Sequence, residues 1–292
     1  MIDSLNSLQS KNNIISSDQI QFKVYQISDW IEIINSNDIS HINRYELKCN
    51  LSRGIPECIR GDVWAFLSKA NKYIERSDQF TYFRLFSQDN LEIELQIRKD
   101  IHRTFPEHEM FAFEDGYGQQ GLLNILKAYS QFDSEIGYCQ GMGFIAGILL
   151  MYMHSEELAF WGFVGLMDKK NWRRIYEIHT PGLLELIKKL SSRIQTELPM
   201  IFKHFHNEGV DFTVFSRYFI TICSYRVPIK FAVRIMDVFL LEGEDELIKI
   251  IAKMLELKQK RILRLKQEAL YSYINENLVT ECYEEFEMLL IL

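Results

Sequence analysis

Apolar residues recur three and four positions apart along most of this chain, and sustained apolar–polar alternation is scarce. That spacing is helical, because residues i, i+3 and i+4 share one face of an α-helix. It appears first over residues 29–35, with Ser28 as the expected cap, so that 27–50 reads as a leading helix followed by a connector that begins at Ser36. Pro56 starts a helix through Arg60, Trp64 and Leu67. The next, 91–102, must stop before Pro106, which leaves Arg103 at or just past a helix end. Residues 107–119, with Gly116 and Gly118, read as a loop, and 121–132 as another amphipathic helix.

The turn at 137–143 opens the most apolar helix, running to about residue 152, for which burial on most sides is expected. Further helices fit 156–167, 181–205, 211–225, 228–241 and 245–273, with breaks at Pro199 and near Lys258. Residues 213–223 hold enough Phe, Tyr, Ile and Thr to pass for a strand, but their length and context favour a buried helix. Residues 1–26 read as a polar, flexible extension and 276–292 as a tail or last helix. No fixed-period repeat is visible. The expectation is an all-α fold with no significant sheet.

Composition narrows the class. The chain has 292 residues, 47% hydrophobic, enough for one large domain or two lobes with a real core. Its 33 basic against 40 acidic residues give a net charge of −7, which argues against nucleic-acid binding. The cysteines (49, 58, 139, 223 and 282) are odd in number and widely spaced, so neither a disulfide framework nor a zinc site is indicated. They read as free thiols in a reducing compartment. The longest apolar run, 144–153, is too short to cross a bilayer and the N-terminus lacks a signal-peptide layout, so a cytoplasmic protein is expected.

Two segments carry candidate chemistry: Ile97-Arg-Lys-Asp100-Ile-His-Arg103-Thr-Phe-Pro106 and Gly137-Tyr138-Cys-Gln140-Gly-Met-Gly143. Arginine offers a permanent charge and a fork of donors, and glutamine offers donors and an acceptor. Neither serves as a nucleophile or proton shuttle near neutral pH. Such a pair suits stabilising charge that develops in another molecule's reaction, and phosphoryl transfer makes that demand.

Asp100 lies three residues before Arg103, close enough on a helix to pair with it. Arg60 and Trp64 are one turn apart and fit a packing or cation–aromatic role. Tyr138 reads as a core aromatic that supports the glutamine loop.

The order Gly54-Ile-Pro56 with Arg60-x-x-x-Trp64, then Ile97-x-x-Asp100-x-x-Arg103, then Tyr138-x-Gln140 resembles the TBC domain (Tre-2/Bub2/Cdc16) of Rab GTPase-activating proteins. The resemblance covers about residues 51–273, and Tyr218 and Met236 stand where many members carry tryptophan. It implies a two-lobed helical domain over 51–275, with a catalytic lobe at about 51–165 and a second lobe at about 166–275. It also implies a dual-finger mechanism. Arg103 would reach the phosphate oxygens of GTP and Gln140 would orient the attacking water on a GTP-loaded Rab. The chain would then hold no cofactor of its own, GTP and Mg²⁺ being bound by the partner, and would act in vesicle trafficking after recruitment to endomembranes. The alternatives are a non-catalytic Rab-binding scaffold and a membrane-surface adaptor.

Other patterns have plainer readings. The glycines of 137–143 lack the Gly-Lys-Ser/Thr ending of a phosphate loop. His204 and His206, two apart, point to different helix faces and read as surface or packing residues. The basic stretch 249–266 has enough apolar positions to bury against the second lobe.

Overall fold

Asp29 starts the first helix by reaching backward. Its carboxylate accepts the Gln26 backbone N–H at 2.7 Å, one half of a capping box, so helix α1 (Ile27–Ser36) starts without help from Ser28. The computed structural model describes residues 23–36 and 38–283. The expected N-terminal extension falls mostly outside the described residues, and so does the chain after Tyr283. Among the described residues there are helices, turns and loops and no strand.

The first lobe continues with α2 (Arg44–Arg53), α3 (Arg60–Ser68), α4 (Ala70–Arg76), α5 (Thr81–Phe86), α6 (Leu91–Ile101), α7 (Tyr117–Phe132), α8 (Met142–Tyr152) and α9 (Glu156–Asp168). Helix α7 packs on α5, α6, α8 and α9. In α8 every residue from Met142 to Leu150 is buried, as its lack of a polar face requires. The second lobe follows a helical turn, Lys169–Ile175, and comprises α10 (Pro181–Glu197), α11 (Pro199–Asn207), α12 (Ser216–Ile220), α13 (Ile229–Glu242), α14 (Glu244–Leu257), α15 (Gln259–Ile262), α16 (Gln267–Ser272) and α17 (Leu278–Cys282).

Four segments differ from the sequence reading. Residues 27–50 are not one helix and a connector, because α2 begins where the Asn43 side chain accepts the backbone N–H groups of Tyr45 and Glu46. Its turns carry few apolar residues, so no apolar stripe announced it. Helix α7 starts about one turn earlier than residue 121.

Residues 211–225 do not form one helix. A short turn, Phe212–Phe215, leads into the five-residue α12, after which Ile222, Cys223 and Arg226 have φ of 49°, 55° and 52°. The hydroxyls of Thr221 and Ser224 bond the carbonyls of Arg217 and Thr221, which gives this stretch local partners where a continuing helix would need its own ladder. The 245–273 stretch also divides more than expected, at Lys258 and again over residues 263–266.

The basic stretch buries its apolar side. Ile250, Ile251, Leu255 and Ile262 are core residues, while Lys249, Lys253 and Arg261 pair with Glu246, Glu256 and Glu281. His204 bonds the Leu265 carbonyl at 2.8 Å. No helix among the described residues is long and apolar enough to cross a membrane.

The lobes meet through a buried polar node. Arg60 and Trp64 do not engage each other; both donate to Asp237 Oδ1 on α13, from Nε at 3.2 Å and from Nε1 at 2.7 Å. Arg60 also lies over the Tyr152 ring, 5.3 Å from its centroid, and pairs with Glu57. Asp237 is fully buried, and that burial pushes its carboxyl up to about 7 against the opposing pull of Arg60, Trp64 and Arg234.

Candidate functional site

Arg103 follows the last turn of α6. Its backbone N–H and the Thr104 hydroxyl both bond the Asp100 carbonyl, at 3.2 and 2.8 Å, and so satisfy a helix end that Pro106 prevents from continuing. Phe105 then takes φ 49° and buries its ring against Phe144, with centroids 5.3 Å apart. This reversal leaves the Arg103 side chain 47% exposed.

The guanidinium is held on one side. Its Nη2 donates to Asp100 Oδ1, and Asp100 Oδ2 accepts the hydroxyl of Tyr138. Tyr138 is 7% exposed, and burial followed by the bond to Asp100 pushes its hydroxyl pKa well up, which keeps it a donor. The hydroxyl of Tyr138 therefore meets the same carboxylate that holds the arginine.

Gln140 sits two residues on, in a turn closed by the Met142 N–H to Cys139 carbonyl bond at 3.2 Å. Gly141 occupies the next position with φ 101° and ψ −20°, the conformation that a type II turn reserves for glycine. A Cβ there would also overlap Cγ2 of Ile220 from the second lobe. The Gln140 side chain is exposed and makes no hydrogen bond to another described residue.

Cys139 in the turn bonds the Tyr176 carbonyl through Sγ, at 3.7 Å. Arg173 grips Asp133 with two bonds, at 2.6 and 3.0 Å, and the Tyr176 hydroxyl donates to the Ile220 carbonyl at 2.7 Å.

Arg103 and Gln140 face one groove of about 510 Å³, which runs between the motif loops and the second lobe. Asp100, Thr104, Tyr138 and Phe144 line one side, and Ser216, Arg217, Ile220, Tyr225 and Asn275 the other. Arg60 and Trp64 do not line it and act at the lobe junction instead. The second-lobe wall was not foreseen. Only the broken helix after Ile220 brings Tyr225 back to the groove, and no periodic pattern encodes that break. No group of three or more potential metal ligands occurs among the described residues.

A two-lobed helical chain with an arginine and a glutamine on neighbouring loops over one groove defines a class of protein, and the chain belongs to it: the Rab-GTPase-TBC domain family, whose profile matches residues 57–263. The particular relatives are consistent with this. The chain is 34% identical over 252 residues to the human Ecotropic viral integration site 5 protein homolog, covering 85% of the chain and 30% of that protein. It is 36% identical over 260 residues to the Rab GTPase-activating protein eat-17 of Caenorhabditis elegans, covering 88% and 28%. The chain thus spans less than a third of the length of these two relatives. The crystal structure of the Chlamydomonas flagellar RabGAP TBC domain shares its fold, with a TM-score of 0.75 at 24% identity over 89% of this chain and 88% of that one.

Proposed function

We propose that this chain is a GTPase-activating module for a Rab-type small GTPase, lending Arg103 and Gln140 to the GTP that the GTPase carries. The supporting observation is that the two side chains are exposed on one groove, with the arginine restrained by Asp100 and the glutamine side chain bonded to no other described residue. Arginine neutralises charge developing on the transferred phosphoryl group with directed donors, and a glutamine orients the attacking water. GTP and Mg²⁺ come with the GTPase, and the chain supplies neither nucleophile nor metal. Family membership and a relative named as a Rab GTPase-activating protein support the same reading. Through its GTPase the module would act at endomembranes, in vesicle trafficking.

The test is phosphate release from a panel of purified GTP-loaded Rab GTPases. Arg103→Ala and Arg103→Lys should each lower the stimulated rate by at least about a hundredfold, since fingers of this type contribute roughly 10³ to 10⁵. Gln140→Ala should also be severe, and the double variant should lose much less than the product of the single losses. Tight GTP-dependent binding with no stimulation of any Rab would replace this proposal with a non-catalytic scaffold.

A further inference from the structure

Tyr225 carries two arginines. The Arg217 guanidinium carbon lies 4.5 Å from the Tyr225 ring centroid and that of Arg226 lies 5.4 Å from it. Both arginines are exposed, and neither has a carboxylate within salt-bridge distance among the described residues. In a chain of net charge −7, where most other arginines are paired with acids, two cations gathered on one ring stand out. Like charges placed together disfavour each other unless an anion joins them.

Their placement ties them to the finger groove. Arg217 and Tyr225 line that groove and also the adjoining cavity of about 140 Å³, whose wall includes Arg226. The Tyr225 ring meets Phe144 edge-on at 5.2 Å, and Phe144 meets Phe105 at 5.3 Å. An aromatic row therefore runs from the loop of Arg103 to the arginine pair. The backbone that presents the pair is strained, with the β-branched Ile222 at φ 49° and Arg226 at φ 52°.

We infer that Arg217 and Arg226, stacked on Tyr225, form a recognition site for carboxylates on the GTPase that the fingers engage. This rests on the reading that a GTPase docks in the groove. A guanidinium pair suits paired or bidentate carboxylates, whose charge complementarity sets association rate and partner choice. A protein carboxylate fits better than an anionic lipid headgroup, because Arg217 shares the groove with both fingers and a lipid seated there would exclude the GTPase from them.

The test measures binding and phosphate release together, using the whole chain and a Rab panel loaded with a non-hydrolysable GTP analogue or with GTP. Arg217→Glu and Arg226→Glu should each weaken binding at least tenfold, raise the half-saturating GTPase concentration more than they lower the maximal rate, and flatten the salt dependence of association. Tyr225→Leu should weaken binding and Tyr225→Phe should restore it, since the ring and not the hydroxyl holds the pair. Unchanged circular dichroism and melting temperature check that the variants are folded.

Binding within twofold of wild type for both charge reversals, while Arg103→Ala still abolishes stimulation, overturns the inference and leaves the proposed function standing. Weakened binding with stimulation indifferent to Arg103 does the reverse. If no GTPase binds, both fall. If the reversals abolish binding to phosphatidylcholine vesicles containing phosphatidylserine and leave GTPase binding intact, the pair is a lipid site and the inference fails.

Discussion

Asp100 divides its carboxylate between Arg103 and Tyr138, one oxygen to each. The arginine is thereby restrained before any partner arrives, and the tyrosine fixes the carboxylate that restrains it. Such pre-positioning lowers the ordering cost at the moment of reaction. Tyr138→Phe keeps the buried ring and removes only the hydroxyl, so it should cost about 1 kcal/mol of stability and lower the maximal stimulated rate by roughly three- to tenfold. Asp100→Ala frees the arginine entirely and should cost roughly ten- to a hundredfold in maximal rate, with little change in half-saturation. A maximal rate equal to wild type in both variants would show that the restraint is irrelevant to stimulation.

Gly141 combines a glycine conformation with a close approach to Ile220. Gly141→Ala should destabilise the fold by about 1–3 kcal/mol from backbone strain alone, with more from the overlap. It should also move Gln140 and reduce stimulation. Adding Ile220→Ala removes the overlapping methyl and leaves the strain, so the double variant should recover part of the stability in urea unfolding. No recovery would place the whole cost in the backbone.

Asp237 makes stability depend on pH in a stated direction. Its folded-state pKa, about 7, lies above the ordinary carboxylate value, so the folded protein holds a proton that the unfolded chain releases. The contribution is fully present below about pH 4 and is lost as pH rises through 7. Melting curves of wild type and Asp237→Asn between pH 4.5 and 8 should therefore diverge, the wild type losing stability relative to the variant as pH increases. Parallel curves would mean that Arg60 keeps the carboxylate ionised throughout. Asp237→Ala, which strands the donors of Arg60 and Trp64, should be worse than Asn by a few kcal/mol.

The cysteines should react in a definite order. Cys58 is exposed, Cys139 is half-buried, and Cys223 and Cys282 are buried. Burial pushes the Cys139 thiol pKa up and that of Cys223 further. Mass spectrometry after brief alkylation of the native protein should find Cys58 labelled first and Cys223 last. Early labelling of Cys139 would reveal an opening of the glutamine turn.

How much was legible in the sequence follows from range. Helices α6, α8 and α9 were readable because their apolar period is local, as is the punctuation of the first two by Pro106 and the glycine turn at 137–143. The Asp100–Arg103 pair was readable for the same reason, being three residues apart at one helix end. Arg60 and Trp64 were recognisable as a unit, yet their shared partner Asp237 lies more than 170 positions away, and no local pattern connects them. The α12 region misled in the opposite way. Its apolar content suggested one buried helix, while hydroxyl bonds and a tight reversal turn the chain back to bring Tyr225 under Phe144. The groove's first-lobe side was thus largely visible from the sequence and its second-lobe side was not.

Helix α2 lies outside the segment that the family profile matches, but it is fastened to the second lobe. Lys48 pairs with the buried Glu246 at 2.7 Å, and Arg44 reaches Glu242 at 3.1 Å. A chain begun at residue 57 would lose Gly54-Ile-Pro56 of the first motif and the 2.7 Å Lys48 ammonium, leaving the buried Glu246 carboxylate only Lys249, at 3.4 Å. The segment that the family profile matches therefore begins later than the ion pairs that fasten the second lobe, which reach back to Arg44.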